Sequence, residues 1–245
     1  MKIERLVLGL ALVAAGASGS SSLSTTTLSG SHVNSLAAVA SGSGSDGEIL
    51  SKCSDGAYTK NGHRWSSRLY WRFQSGSRPK GSDASRVAAA LGRAASNITT
   101  GHNNCGLADA ISATQTYQGS TSRAPNISKY GGCGGRDGRN VVGFGTLPRG
   151  VLGMTCWWTY GGRTVETDIK LNKAYYAWFI IRRSDCRGKW SIEGVATHEF
   201  GHAFGLGHVS PDYHSALTMS PVIRACQSAQ RWLGLGDILG LRSLY

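Results

Sequence analysis

The stretch His198-Glu199-Phe200-Gly201-His202-Ala203-Phe204-Gly205-Leu206-Gly207-His208 decides how this chain of 245 residues is read. From Ile192 the residues leading into it have the pattern of a helix that runs to about Phe204, with Ser191 as its N-cap. His198 and His202 are four apart, so they share one helical face, one turn apart. Both imidazoles can then reach one ion at the ordinary zinc–nitrogen distance of about 2.0–2.1 Å. Glu199 follows the first of them and points beside the ion, where a base can take a proton from water that the metal activates. A helix continuing past His202 would carry residue 208 away. Gly205 tolerates φ > 0, so it can stop the helix and turn the chain back, and His208 closes the site from another direction. Three neutral imidazoles leave the fourth tetrahedral position open, which marks a catalytic rather than a structural zinc site. Drawn from this composition (7 His and 34 Gly), the whole pattern would arise by chance on the order of once in fifty thousand such chains.

Upstream, Arg68-Leu69-Tyr70-Trp71-Arg72-Phe73 alternates polar and apolar residues and predicts a strand. Ser82 or Asp83 can cap a helix carrying Val87, Ala88, Leu91 and Ala95 on one face. Further strands are expected around Ile111 to Gln118, Asn140 to Phe144, Leu152 to Trp158 and Thr164 to Leu171. Downstream, Ile238, Leu241 and Tyr245 share one face of a last helix. Strands with two or three helices imply an α+β or α/β domain.

The N-terminus has the pattern of a secretory signal. Lys2 and Arg5 precede an apolar run from Leu6 to Ala17 that ends in the small residues Ala15-Gly16-Ala17. The run is too short for a membrane span, and no cysteine follows it to take a lipid, so no membrane anchor is expected. Residues 18–50 are rich in Ser, Gly and Thr and cannot bury enough apolar area to order themselves, so they are expected to be a flexible pro-segment or linker. The folded domain is placed at 51–245. Its six cysteines, Cys53, Cys105, Cys133, Cys156, Cys186 and Cys226, imply three disulfides in a secreted chain and leave fifteen connectivities open. No two lie close enough for a Cys-rich zinc site. Lys+Arg outnumber Asp+Glu by 26 to 14, but the basic residues are scattered rather than striped among aromatics, so a basic surface is expected and no nucleic-acid partner.

H-E-x-x-H-x-x-G-x-x-H with a later Met turn is the pattern of metzincin peptidases, and Thr218-Met219-Ser220-Pro221 resembles that turn. The surroundings resemble the matrixin branch. Val195-Ala196-Thr197 precedes the motif, Glu166-Thr167-Asp168-Ile169 and Leu171-Asn172 are similar to the last sheet strand, and Leu235 to Leu241 with Leu244-Tyr245 are similar to the closing helix. The resemblance implies a metzincin-type catalytic domain of α+β class, with a twisted five-stranded mixed sheet, an active-site helix and a C-terminal helix. It implies an antiparallel edge strand at Leu152 to Trp158 on which an extended polypeptide substrate lies, and Met219 as a packing floor below the metal. One catalytic Zn2+ is expected. Calcium is possible by family analogy, but no motif supports it. Thr146 to Arg163 holds no His or Asp, so the second zinc site of the vertebrate members is not expected. Cys133-Gly134-Gly135-Arg136-Asp137 weakly echoes the latency segment of that family, but it lies within the domain and its use would leave an odd thiol, so Cys133 is expected in a disulfide. No Tyr follows the Met turn, unlike the astacin branch. Asp212 and His214, just past the third histidine, are expected in a solvated loop, and Pro211 to Leu217 near the pocket that selects the residue after the scissile bond. The expected whole is a monomeric, extracellular zinc endopeptidase. The rival is a secreted zinc-containing binding protein without catalysis, against which Glu199 argues.

Overall fold

The computed structural model describes residues 31–39 and 51–245, and within 31–39 only the side chain of Asn34. The expected signal at 1–17 lies outside the described residues. The strands are β1 (Ser31–Val39), β2 (Thr59–Lys60), β3 (Leu69–Phe73), β4 (Gln115–Ser120), β5 (Val141–Gly145), β6 (Val151–Tyr160), β7 (Arg163–Asn172), β8 (Ala177–Phe179), β9 (Lys189–Ser191), β10 (Leu206–Gly207) and β11 (Val222–Arg224). Three helices complete the frame, α1 (Ala84–Thr100), α2 (Ile192–Ala203) and α3 (Leu235–Arg242).

The order β4-β3-β5-β7-β6 forms the five-stranded mixed sheet. β3, β4, β5 and β7 run parallel, and β6 pairs antiparallel with β7. In β3 the alternation seen in the sequence is obeyed, with Leu69, Trp71 and Phe73 buried and Tyr70 and Arg72 outward. These side chains meet Val87, Leu91 and Ile98 of α1 and Val195 and Phe200 of α2 in one core. Trp71 lies edge-on to Phe200 at 5.4 Å, an arrangement aromatic rings favour. Asp83 caps α1 by accepting from the Arg86 N–H at 2.8 Å, and Gly101, at φ 74°, ends it. A smaller cluster of Ile127, Leu147, Met154, Cys156 and Trp158 lies apart from this core, and the Cys133–Cys156 disulfide ties the loop before β5 to β6 there. The other disulfides are Cys53–Cys105 and Cys186–Cys226, so Cys133 is a disulfide partner as expected.

β1 and β11 carry the sheet beyond β6, in the order β11-β1-β6, and make it seven-stranded. β1 falls inside the stretch 18–50 that its composition marks as flexible. Strand pairing is made by backbone groups and needs no apolar side chains, whereas the composition argument measures only what can be buried. The two-residue strands β2 and β10, which pair with each other, have too few residues for any periodicity to mark them.

The loop between β4 and β5 is held by buried carboxylates. Asp168 on β7 accepts from the N–H groups of Asn126 (2.7 Å) and Val141 (2.8 Å), and Glu166 accepts from those of Asp137 and Gly138. Burial pushes the Asp168 carboxyl up to about 7, against the pull of these two donors. Asp168→Asn keeps the shape but turns an NH2 group toward one donor, leaving a buried N–H unpaired. We expect a loss of about 1–3 kcal/mol in unfolding free energy, measured as a lower urea midpoint at unchanged m-value.

Candidate active site

α2 starts where the Ser191 hydroxyl accepts the Gly194 N–H at 3.0 Å, and all twelve of its residues are buried. Its end is fixed from outside. The Trp65 indole N–H donates to the Ala203 carbonyl (2.9 Å) and the Tyr245 hydroxyl to that of Phe204 (3.1 Å), which satisfies carbonyls the helix itself cannot pair. Gly205 follows with φ 97°, and a Cβ there would lie 2.1 Å from the His63 carbonyl oxygen. The chain therefore turns here for two reasons, the left-handed backbone and the close approach of another strand of backbone. β10 then pairs with β2, the Asn61 amide donates to the Leu206 carbonyl (2.7 Å), and the Thr59 hydroxyl donates to the carbonyl of His208 (2.7 Å). These contacts bring His208 back over the helix.

The result is three imidazoles aimed at one point. The Nε2 atoms of His198, His202 and His208 are 2.9, 3.0 and 3.1 Å from one another. The other ring nitrogens of the two helical histidines are committed elsewhere: Nδ1–H of His198 donates to the Thr218 carbonyl (2.7 Å) and that of His202 to the Leu206 carbonyl (2.9 Å). Donation at Nδ1 leaves Nε2 of each neutral ring as a bare lone pair. Burial holds His198 and His202 well below the usual imidazole range and His208 down at about 4. A triangle of neutral nitrogens is a donor set for a cation, and with three imidazoles that cation fits zinc. Among the described residues, no other group of three His, Cys, Asp or Glu side chains could hold a metal ion. His214 pairs instead with Asp55 (2.9 Å), and Asp212 is exposed.

Met219 is buried against α2, where a Cβ on Gly201 would come within 2.4 Å of its sulfur. Its turn is held by Asp237 at the start of α3. That buried carboxylate accepts from the N–H groups of Thr218 (2.9 Å), Met219 (3.1 Å) and Gly234 (2.8 Å), with the Lys52 ammonium nearby to offset its charge. The Thr218 carbonyl that receives His198 is thus itself fixed by Asp237, which holds the N–H groups on either side of it.

Glu199 is fully buried, and burial pushes its carboxyl up to about 8. One oxygen, Oε2, accepts a hydrogen bond from the Thr155 hydroxyl at 2.6 Å, and the same hydroxyl lies 3.0 Å from the Glu199 carbonyl. The other, Oε1, has no hydrogen-bond partner among the described residues. Gly153, two residues before Thr155 on β6, lies so close that a Cβ would stand 2.4 Å from Oε1. β6 therefore both clears and aims the carboxylate.

The sequence singled out the three histidines, Glu199, Gly205 and Met219. The structure converges the three histidines, sets Glu199 on the same helix and Gly205 at the turn after it, and packs Met219 against Gly201. The parts the sequence did not reveal are Thr155, Gly153, Asp237 as an anchor, and the β2 segment. Thr155 and Gly153 lie some forty residues from Glu199, and nothing local in β6 distinguishes them from other strand residues.

The family model described as Matrixin matches residues 148–245, which span β6 to the C-terminal residue Tyr245 and include the whole histidine cluster. No curated protein matches the chain. Residues 148–245 are matrixin-like, the cofactor of that family is a catalytic zinc ion, and the activity it carries is that of a zinc metalloendopeptidase acting on polypeptides.

Gly205→Ala should cost more than about 2 kcal/mol, from the strained backbone and the clash with His63. It should also lower zinc content below one per chain. Urea unfolding and elemental analysis of the purified variant test both.

Proposed function

We propose that the chain is a secreted endopeptidase in which His198, His202 and His208 hold the zinc ion and Glu199 moves the protons of hydrolysis. The observation that carries this reading is the buried Glu199 carboxylate, with one oxygen bound to Thr155 and the other unpartnered, beside three converging lone pairs. When bound, zinc supplies Lewis acidity, which polarises the scissile carbonyl and brings water toward ionisation near neutral pH. Glu199 Oε1 takes the proton from water as it attacks, and afterwards delivers it to the leaving amine. Thr155 keeps Oε2 occupied, so the proton has one oxygen to use. Gly205 and Met219 serve as structural supports, the first by turning the chain toward His208 and the second by filling the space under the ion.

The substrate joins the β6 edge as an extended strand, with backbone hydrogen bonds supplying affinity and side-chain pockets supplying preference. Secretion is supported by the signal-like residues 1–17 and by three disulfides, which persist in oxidising compartments. No described helix is long and apolar enough to cross a membrane. The domain is expected to act as a monomer and to bind no nucleic acid.

Glu199→Ala should retain one zinc per chain and lose at least about 10²-fold in kcat on casein or a fluorogenic peptide. Retention of near-parental activity would remove Glu199 from its role. His202→Ala should lose the metal, and 1,10-phenanthroline should stop hydrolysis by the parent until zinc is restored. Thr155→Val should lower kcat about tenfold with little change in KM, because the carboxylate is no longer aimed, and Thr155→Ser should recover it. Equal kcat for the Val and Ser variants would show that the hydroxyl has no positioning role.

A further inference from the structure

A β-strand has two hydrogen-bonding edges, and both edges of β6 are taken. One pairs with β7, the other with β1. β1 runs antiparallel to β6 from Ser31 opposite Trp158 to Ala37 opposite Val151. Within this register Asn34 faces Thr155 and Leu36 faces Gly153, the two β6 residues that touch the Glu199 carboxylate. The strand therefore covers the part of β6 that lies over the proposed base. Its farther end is clamped from the other side, with Ala37, Ala38 and Val39 pairing parallel with Val222, Ile223 and Arg224 of β11. The Asn34 side-chain amide lies 3.2 Å from Nδ1 of His202. A peptide cannot add to β6 while this strand is in place, because the same backbone groups would have to serve twice.

We propose that residues 31–39 are a built-in occupant of the peptide cleft, and that they hold the chain latent until the strand leaves. The inference rests on the cleft described above as the place where substrate binds. It requires no thiol. The sequence has no cysteine before Cys53, and among the described residues every cysteine is in a disulfide. The block is one of backbone pairing, and it sets the Asn34 side chain beside a ring of the histidine cluster. It is also built to be released. The sequence on either side of the strand, 18–30 and 40–50, is dominated by Ser, Gly and Thr, so it carries few apolar residues to hold the strand in place. A backbone ladder of this kind can be exchanged for that of another extended chain.

The test uses the full chain in a Glu199→Ala background, so that nothing is cut. Successive N–H groups of a strand point to opposite edges, so Ser35→Pro with Leu36→Pro removes the one that faces β6 whichever residue carries it. Amide hydrogen exchange across residues 151–158 should accelerate at least tenfold in the double-proline chain, while that of β5 stays as in the parent. A fluorescein-labelled copy of residues 31–39 should bind the double-proline chain at least tenfold more tightly than the parent. Equal exchange and equal peptide affinity in the two chains would overturn the proposal. With Glu199 restored, kcat/KM on a fluorogenic peptide should rise at least tenfold on the same two substitutions, and an unchanged value would overturn latency. If peptide affinity rises but neither chain hydrolyses anything, the occupancy of the cleft stands and the assignment of hydrolysis fails.

Discussion

Three nitrogen lone pairs held about 3 Å apart are the constraint on which the rest of the molecule depends. Left to themselves, neutral imidazoles would turn a donor toward an acceptor. The fold forbids this by giving the proton of both helical rings another place to go. Thr218 and Leu206 carbonyls take it, and those carbonyls are in turn fixed by Asp237 below and by Asn61 alongside. A cation is what makes such a triangle favourable. The buried polar network around it exists to keep the triangle from relaxing in any other way.

The core that supports this arrangement has a simple logic. α1 and α2 lie against the parallel strands through Val87, Leu91, Val195 and Phe200, and α2 is buried along its whole length. A helix with no exposed face cannot slide or rotate without opening the core. The two histidines it carries, His198 and His202, inherit that rigidity. Trp65 and Tyr245, far apart in sequence, then close its last turn, so both belong to the site's foundation.

Much of this was legible in the sequence, and the limits have physical causes. β3, α1, α2 and β7 announce themselves because each is amphipathic or capped, and a side-chain period survives in the linear text. The histidine motif is legible because helical spacing converts directly into distance, and Gly205 because a positive φ leaves few alternatives. The fifteen disulfide connectivities stayed open because spacing alone does not measure distance. Thr155 and Gly153 act across the interface between β6 and α2, so their importance exists only after packing. β2 and β10 are backbone pairings of two residues each, with no pattern to find. β1 is the sharpest instance. Its neighbours in sequence are small and polar, which argues soundly against a core but says nothing about an edge that another strand leaves open.

The disulfide between Cys133 and Cys156 bears on more than the loop it ties down. Cys156 is the residue after Thr155, so the covalent staple and the hydroxyl that aims Glu199 belong to the same two-residue step of β6. Closing that bond braces the strand at the point where the carboxylate leans on it. Under the proposed mechanism, formation of this disulfide and the aiming of the base act on the same step of β6. A copy of this chain with those two thiols reduced would keep its histidine supports but lose the brace beside the Thr155 contact to Glu199.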